Sequence, residues 1–348
     1  MDLRYYRAMA EASPGISSEM PRPFAYRILG PWLVGLLPLP ETAAFYALNS
    51  VLSLCVPLVF FLLLVSRGAG AWIAALSAFL FVLSKHQFGI SAWNFFQIKD
   101  TLSFLCLLAC FHAMYSDRRV LFAVSLLAGA LAGEMALIMI PVLVCYLWER
   151  RAVGARWRDA VFMTLPAAAA FVAARALVPA SGGIAPWEAF GMYGGKVRHA
   201  LVWYGLLVNP FIPVSLLPLV FYRDTIAFIR KNLHLLLYFL LVLASTLFGS
   251  NNERLMASAF IAFYMLIARI FESELSHRSR RQALAAAAVV AAAGALSFFH
   301  HAMGRYPLPS RSLTIALSGG SLVALTVLAV VWRVGAAGRG AADRSAAS

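Results

Sequence analysis

The chain has 348 residues, of which 62% are hydrophobic and only 13% are charged, and its formal net charge is +14. Soluble domains are about 45–50% apolar and about 25% charged, so this composition argues against a soluble protein. The basic residues are spread over many short loops, which argues against a nucleic-acid partner. We therefore predict an all-α, polytopic integral membrane protein.

A polar stretch, residues 1–42, comes before the hydrophobic part of the chain. Residues 1–11 fit a short amphipathic helix with Tyr6 and Ala10 on one side. Ser13, Pro14 and Gly15 are residue types that end such a helix. We expect 1–42 to be an outward-facing loop on the membrane surface, followed by a transmembrane bundle at 43–333 and a disordered cytoplasmic tail at 334–348.

The hydrophobic part contains successive apolar runs, at about 43–65, 70–84, 100–116, 120–148, 158–178, 200–221, 233–249, 255–271, 283–299 and 312–332. A spanning helix needs roughly 20 residues. The run 120–148 is too long for one span, and Gly129, Gly133 and Glu134 divide it into two short segments. We therefore expect a helical hairpin there, and about ten or eleven membrane segments in total.

Arginine-rich loops give the orientation, because positively charged loops stay in the cytoplasm. These loops are 118–119, 150–158, 223–231, 278–281 and the tail. The outward segments are then 1–42, 85–99, 179–199, 250–254 and 300–311. This arrangement places residue 1 outside the membrane, so the N-terminus is either translocated unaided or preceded by a further helix, which we favour. The abundance of arginine and alanine suggests the inner membrane of a bacterium.

Several short patterns resemble the GT-C glycosyltransferases, a superfamily that includes the protein O-mannosyltransferases and the aminoarabinose transferases of lipid A. The patterns are Asp2-x-x-Tyr5 followed by Ala8 and Met9, Lys99-Asp100, Gly129 to Glu134 followed by Pro141, and Asn252-Glu253-Arg254. The resemblance implies a GT-C-like helical bundle that transfers a sugar from a polyprenyl-phosphate carrier. The acceptor would be a lipid, a glycan or a protein on the periplasmic side. In this superfamily an acidic residue of the first outer loop acts at the catalytic centre, and basic residues bind the carrier phosphate.

Three carboxylates are candidates for catalysis, because transfer needs a group that takes a proton from the acceptor hydroxyl. Asp2 is the first candidate as general base, and its alternative role is the N-cap of the first helix. Asp100 starts an apolar helix, where interaction with the helix dipole explains it equally well. Glu134 is an ionisable group within an apolar hairpin and thus a functional candidate, unless it meets water at the outer tip.

Four outward cations are candidates for binding the phosphate, and one ring for packing on the sugar or lipid: Arg254, Lys85, Arg27, Arg305 and Tyr5. Cations hold a departing phosphate well. The alternative for each cation is interfacial snorkelling. Packing or snorkelling is also our interpretation of Arg175 and Arg269. The glycine- and aromatic-rich segment 179–199 is either a lid or a membrane anchor.

Metal and cofactor signals are weak in this sequence. His300 and His301 are adjacent, but no third ligand is evident. The cysteines lie in apolar runs and are interpreted as packing residues: Cys55, Cys106, Cys110 and Cys145. No glycine-rich nucleotide motif is present in the sequence. We expect no cofactor, with a divalent metal left open.

Two other function classes remain open beside the enzyme. A transporter or lipid-linked glycan flippase predicts charged residues around a midplane cavity and internal repeats. A non-catalytic membrane subunit of a cell-envelope complex is the third class. The partners expected in every case are membrane lipids, and for the enzyme also the lipid-linked sugar and its acceptor.

Overall fold

A computed structural model describes residues 2–17, 20–84, 95–96, 98–151, 153–178, 180–183, 186–248, 252–276, 278–303, 316–317 and 319–333. The side chains of some helical residues, Asp2 among them, lie outside this description. The described chain is built of helices and their connections. It contains no strand, apart from an isolated β-bridge between Arg22 and Gly183.

The helices in chain order are α1 (Asp2–Glu11), α2 (Leu29–Gly35), α3 (Glu41–Ser66), α4 (Ala71–Val82), α5 (Ile98–Tyr115), α6 (Arg119–Ala132), α7 (Met139–Glu149), α8 (Val153–Leu177), α9 (Pro186–Tyr193), α10 (Ala200–Leu207), α11 (Leu217–Val220), α12 (Tyr222–Lys231), α13 (Leu233–Ser245), α14 (Asn252–Met256), α15 (Phe260–Leu275) and α16 (Arg280–Met303). A last helix, α17, is Gly319–Arg333. The predicted amphipathic helix is confirmed as α1, with Tyr6 and Ala10 buried.

The helix Arg254–Leu275, which includes α15, lies at the centre of the bundle together with α5. Their apolar windows are 83% and 72% buried, against 33% for α3 and 17% for α8. Aromatic rings hold the centre together: Phe81 stacks on Phe260 with 4.0 Å between centroids, and Phe60 meets both rings edge-on. Such ring pairs add to the stabilisation from burial.

The outer helices keep large apolar side chains exposed. On α3 and α8 these include Leu54, Leu58, Leu62, Phe162, Leu165 and Val172. Three of them follow a spacing of four residues, so they share one helix face. A soluble protein rarely exposes a contiguous apolar face of this length, so the exposed faces are compatible with the predicted membrane protein.

Within the described parts of the chain, four helices are long and apolar enough to cross a membrane: Glu41–Ser66, Ile98–Tyr115, Arg156–Leu177 and Arg254–Leu275. A fifth candidate is the pair α12–α13, which is bent by 100° at its break. This is fewer than the ten or eleven segments expected from hydropathy, because several apolar runs form shorter helices. The run 120–148 is one example: α6 ends at Ala132 and α7 begins at Met139, as the predicted hairpin requires.

Helix α5 connects two charged ends of the bundle. Asp100 lies in its first turn and Tyr115 is its last residue, which at about 1.5 Å per residue places them roughly 22 Å apart. We call the end that carries Asp100 the outer end and the end that carries Tyr115 the inner end. At the inner end the Tyr115 hydroxyl bonds His234 Nε2 at 2.9 Å, and Glu149 accepts the backbone N–H of His234 at 3.1 Å.

Candidate functional site

Six ionisable side chains form a cluster at the outer end: Arg27, Lys99, Asp100, Glu134, Arg175 and Arg254. Each comes from the end of an element rather than its middle. Lys99 and Asp100 belong to the first turn of α5, Arg175 to the last turn of α8, and Arg254 to the short helix α14. The cluster therefore lies at one boundary of the bundle.

Glu134 accepts hydrogen bonds from two arginines. Nε and Nη2 of Arg27 donate to its Oε2 at 3.3 and 3.2 Å, and Nη2 of Arg175 donates to its Oε1 at 3.4 Å. Burial raises the pKa of Glu134, but the positive charge of Arg27 and its other neighbours outweigh burial and hold the pKa below its ordinary value. Its side chain is 33% exposed, so the cluster is open on one side.

Arg27 is the more deeply placed of the two arginines, with 16% of its side chain exposed against 31% for Arg175. Burial lowers the pKa of Arg27, but the charge of Glu134 and the interaction with Tyr6 outweigh it and raise the pKa above its ordinary value. Arg175 stacks on Phe171 and Tyr26, with its guanidinium 3.4 and 4.7 Å from their centroids. Ion pairing with Glu134 and contacts with aromatic rings therefore hold both guanidinium groups in place.

Asp100 lies between two cations. Lys99 Nζ is 3.2 Å from its Oδ1, and Arg254 Nε is 3.7 Å from its Oδ2. The Lys99 side chain is only 8% exposed, and those of Asp100 and Arg254 are each 20% exposed. The described cluster thus has four cations and two carboxylates. Such a partly enclosed, predominantly cationic set suits a phosphate or another anion.

The N-terminal segment covers this cluster. The backbone N–H of Arg22 donates to the carbonyl of Gly182 at 2.8 Å, and that of Ser181 donates to Met20 at 3.0 Å. Met20 also packs with Met9, Ala25 and Val178 in a small buried apolar group. This pairing ties residues 20–22 to the segment after α8 and so positions Arg27 beside Glu134.

Helix α1 lies next to the same cluster. Tyr5 stacks on Phe24 with 5.0 Å between centroids, and Tyr6 meets Phe24 edge-on at 5.6 Å. The Arg27 guanidinium lies 5.8 Å from the Phe24 centroid. Asp2 is the first residue of α1, one helical turn before Tyr6.

An apolar cavity of about 210 Å³ lies beside the helix that carries Arg254. It is lined by Trp203, Leu206, Leu240, Leu243, Ala244, Thr246 and Leu247. These residues belong to α10, to α13 and to the 3-10 turn Thr246–Phe248, and α14 packs against all three. The cavity and Arg254 therefore adjoin the same short helix, α14.

The structure brings together four of the predicted site residues: Asp100, Glu134, Arg254 and Arg27. Tyr5 lies beside them on α1. Lys85, Arg305 and the side chain of Asp2 lie outside the described residues, as do the side chains of His300 and His301.

Arg175, interpreted from the sequence as a packing or snorkelling residue, does pack on Phe171 and Tyr26. It is also an ion-pair partner of Glu134, which the sequence did not predict. The only sequence feature that pointed to a functional role for Arg175 was its position at the predicted outward end of an apolar run. The pairing itself joins residues 41 positions apart, which no local pattern reveals.

Among the described residues no group of three His, Cys, Asp or Glu side chains could hold a metal ion. The four cysteines are free thiols, with Cys106 and Cys110 buried and Cys55 and Cys145 half-buried. No family model, curated protein or solved structure matches this chain. The chemistry of the cluster therefore has to be inferred from its own geometry.

Proposed function

We propose that this chain is a membrane glycosyltransferase of the GT-C type. It would move a sugar from a polyprenyl-phosphate carrier to a lipid, glycan or protein acceptor at the periplasmic face of a bacterial inner membrane. The observation that supports this proposal is the outer-end cluster, four cations around two carboxylates beside an apolar cavity. A carrier of this class is complementary to this arrangement, because it joins an anionic phosphate, which suits the cations, to a long apolar chain, which suits the cavity.

The cations have a clear task in such a reaction. When the sugar leaves, negative charge develops on the carrier phosphate, and preorganised cations stabilise that charge more strongly in an enclosed site than in water. Arg254 and Lys99 line the side of the cluster nearer α14. We assign the phosphate to Arg254 first, with Lys99 and Arg27 as supporting cations.

The general base is assigned to Asp2, at the start of α1. Neither described carboxylate suits this role well, because Glu134 accepts hydrogen bonds from two guanidinium groups and Asp100 faces cations on both oxygens. A carboxylate held by cations is a poor proton acceptor. In this proposal Glu134 and Asp100 position the cations, and Tyr5 offers a ring surface near the sugar.

The transporter alternative gains less support from the geometry. Transporters bind substrate near the middle of the membrane, often where helices are broken at midplane. Here Lys99, Asp100, Arg175 and Arg254 lie in the first or last turns of their helices. A charged site at the ends of the helices fits a reaction at the membrane surface better than it fits transport of a substrate through the bundle.

The proposal can be tested with purified protein in liposomes that contain a panel of polyprenyl-phosphate-linked sugars, with a bacterial envelope extract added as the source of lipid, glycan and protein acceptors. We expect loss of carrier-linked sugar with at least one member of the panel. Asp2→Asn should lower the rate by about 10²–10⁴ with little change in carrier binding, as expected for loss of a general base. Arg254→Ala should weaken both binding and turnover. Arg118→Ala is the matched control, because this arginine is exposed at the inner end.

Two results would overturn the proposal. One is a wild-type protein that neither binds nor consumes any carrier in the panel. The other is an Arg254→Ala variant that binds the carrier as tightly as Arg118→Ala does. Wild-type turnover by Asp2→Asn would overturn only the assignment of the base, because carrier binding would remain intact.

A further inference from the structure

Helix α12 lies across the inner end of the bundle. It meets α13 at 100° and buries none of its residues. Its Asp224 accepts a hydrogen bond from Ser273 of α15 at 3.0 Å, which fixes the side that faces the protein. The opposite side exposes Tyr222, Arg223 and Ile226. If the bent pair α12–α13 enters the membrane through α13, α12 lies in the plane of the membrane surface, as interfacial amphipathic helices do.

Two arginines converge on the exposed ring of Tyr222. Arg223 Nε donates to the Tyr222 hydroxyl at 3.2 Å, and the Arg333 guanidinium lies 4.8 Å from the ring centroid. Arg333 comes from the end of α17 and also donates to the carbonyl of Val220. Within the described residues neither arginine forms an ion pair, although the acidic Asp224 adjoins one of them in sequence.

Apolar side chains flank these two cations. Leu219 is 72% exposed, Tyr222 47% and Ile226 45%. A surface that combines two cations with exposed apolar side chains is complementary to one kind of molecule, an anionic phospholipid. The phosphate of its headgroup meets guanidinium groups, and its acyl chains meet the apolar side chains. Water-soluble anions would leave Leu219 and Ile226 uncovered.

We propose that Arg223 and Arg333 bind the headgroup of an anionic phospholipid in the leaflet at the inner end, with Leu219 and Ile226 against its acyl chains. The Tyr222 ring holds the two guanidinium groups near each other. This site is separate from the outer-end cluster, from which the length of α5 divides it. It rests on membrane insertion, but not on the proposed sugar transfer.

The test is lipid retention by the purified full chain, measured by native mass spectrometry after mixing with phosphatidylglycerol or phosphatidylcholine. We expect the wild type to retain phosphatidylglycerol in preference to phosphatidylcholine. Arg223→Ala and Arg333→Ala should each weaken that retention about fivefold, which corresponds to about 1 kcal/mol per basic residue at a membrane surface. Arg281→Ala is the matched control, because it removes the same charge from an exposed position on α16.

Arg333 also ties α17 to α11, so its alanine variant could lose structure as well as charge. Among the described residues, the hydrogen bond and the ring contact of Arg223 are both with its neighbour Tyr222. Arg223→Ala therefore removes the charge without breaking a contact between helices. Equal loss in Arg223→Ala and Arg281→Ala would overturn the proposal, since it would show diffuse charge attraction. Equal retention of both lipids by the wild type would overturn it too. Displacement of the lipid by soluble glycerol phosphate at matched concentration would show that the acyl chains play no part, and would overturn the commitment to a phospholipid.

Discussion

Glu134 holds two arginines at the outer end, so replacing it with glutamine is expected to destabilise the protein markedly. The change keeps the shape of the side chain but removes its negative charge. Three donors on Arg27 and Arg175 then face a weaker acceptor. The positive charges of the cluster also lose one of the two described carboxylates that separate them.

The size of the effect follows from the geometry. Breaking a fully buried ion pair costs about 3–5 kcal/mol. Because the Glu134 side chain is 33% exposed, solvent screening reduces the expected cost to about 2–4 kcal/mol. Arg175→Met should cost only about 1–2 kcal/mol, since Glu134 keeps Arg27 and one repulsive cation is removed. Arg27→Met should cost more than Arg175→Met, because Arg27 donates two of the three bonds and is more buried.

The assay is equilibrium unfolding in mixed detergent micelles, followed by circular dichroism. The variant Glu134→Gln with Arg175→Met should be less destabilised than the sum of the single changes by about 1–2 kcal/mol, the usual coupling between residues in contact. The pH dependence of the free energy of unfolding provides a second measurement. Because the pKa of Glu134 is lowered on folding, its stabilisation is complete above the ordinary carboxyl pKa of about 4.3 and is lost as the pH falls through the lowered value. Additive single changes, or an unaltered acid response in Glu134→Gln, would refute this account.

Two further predictions concern other parts of the fold. At the inner end, Glu149→Ala should cost about 2–4 kcal/mol, because the backbone N–H of His234 loses its acceptor and the ring Nδ1 loses its partner. The same unfolding assay measures this cost, and wild-type stability would contradict it. Gly183→Ala should loosen the N-terminal segment, because the added Cβ would lie 2.5 Å from backbone atoms of Arg22 in a left-handed conformation, φ +107°. Gly182→Ala is the control, because Gly182 has a similar φ of +110° but open space around the added Cβ. We expect faster proteolysis after residue 12 in Gly183→Ala but not in Gly182→Ala. Equal proteolysis rates in the two variants would contradict the prediction.

Local sequence patterns predicted the outer end in part. Proline and glycine mark the ends of helices, and charged residues beside apolar runs mark the boundaries of the bundle. These signals placed Asp100, Glu134 and Arg254 on one side, and the contacts of Arg254 with Asp100 agree with that placement. They also predicted the break between α6 and α7, because Gly133 interrupts an otherwise continuous apolar run.

Other features depend on contacts between distant residues, and the sequence could not predict them. Glu149 and His234 lie 85 positions apart, and each is unremarkable in its own segment. The segment 223–231 was predicted as an arginine-rich loop, but it forms the amphipathic helix α12 at 100° to α13. The apolar residues of α12 follow a helical spacing, but the loop was predicted from its basic residues and not from that spacing.

The two charged ends differ in what their charges can do. At the inner end Arg119 and Arg156 share two carboxylates, Asp117 and Asp159. Because 47% of the Arg119 side chain is exposed, each of these pairs is worth about 1 kcal/mol or less. At the outer end the four described cations share two described carboxylates, so positive charge is in excess among these six side chains. Replacing a whole buried ionic cluster by well-packed apolar side chains is often neutral or stabilising, although removing one member is not, so stability alone does not account for this cluster. An anionic ligand removes the conflict, since it neutralises the excess and stabilises the fold by about 2.7 kcal/mol at a concentration of 100 times its Kd. The outer end is therefore where a bound anion has most to contribute.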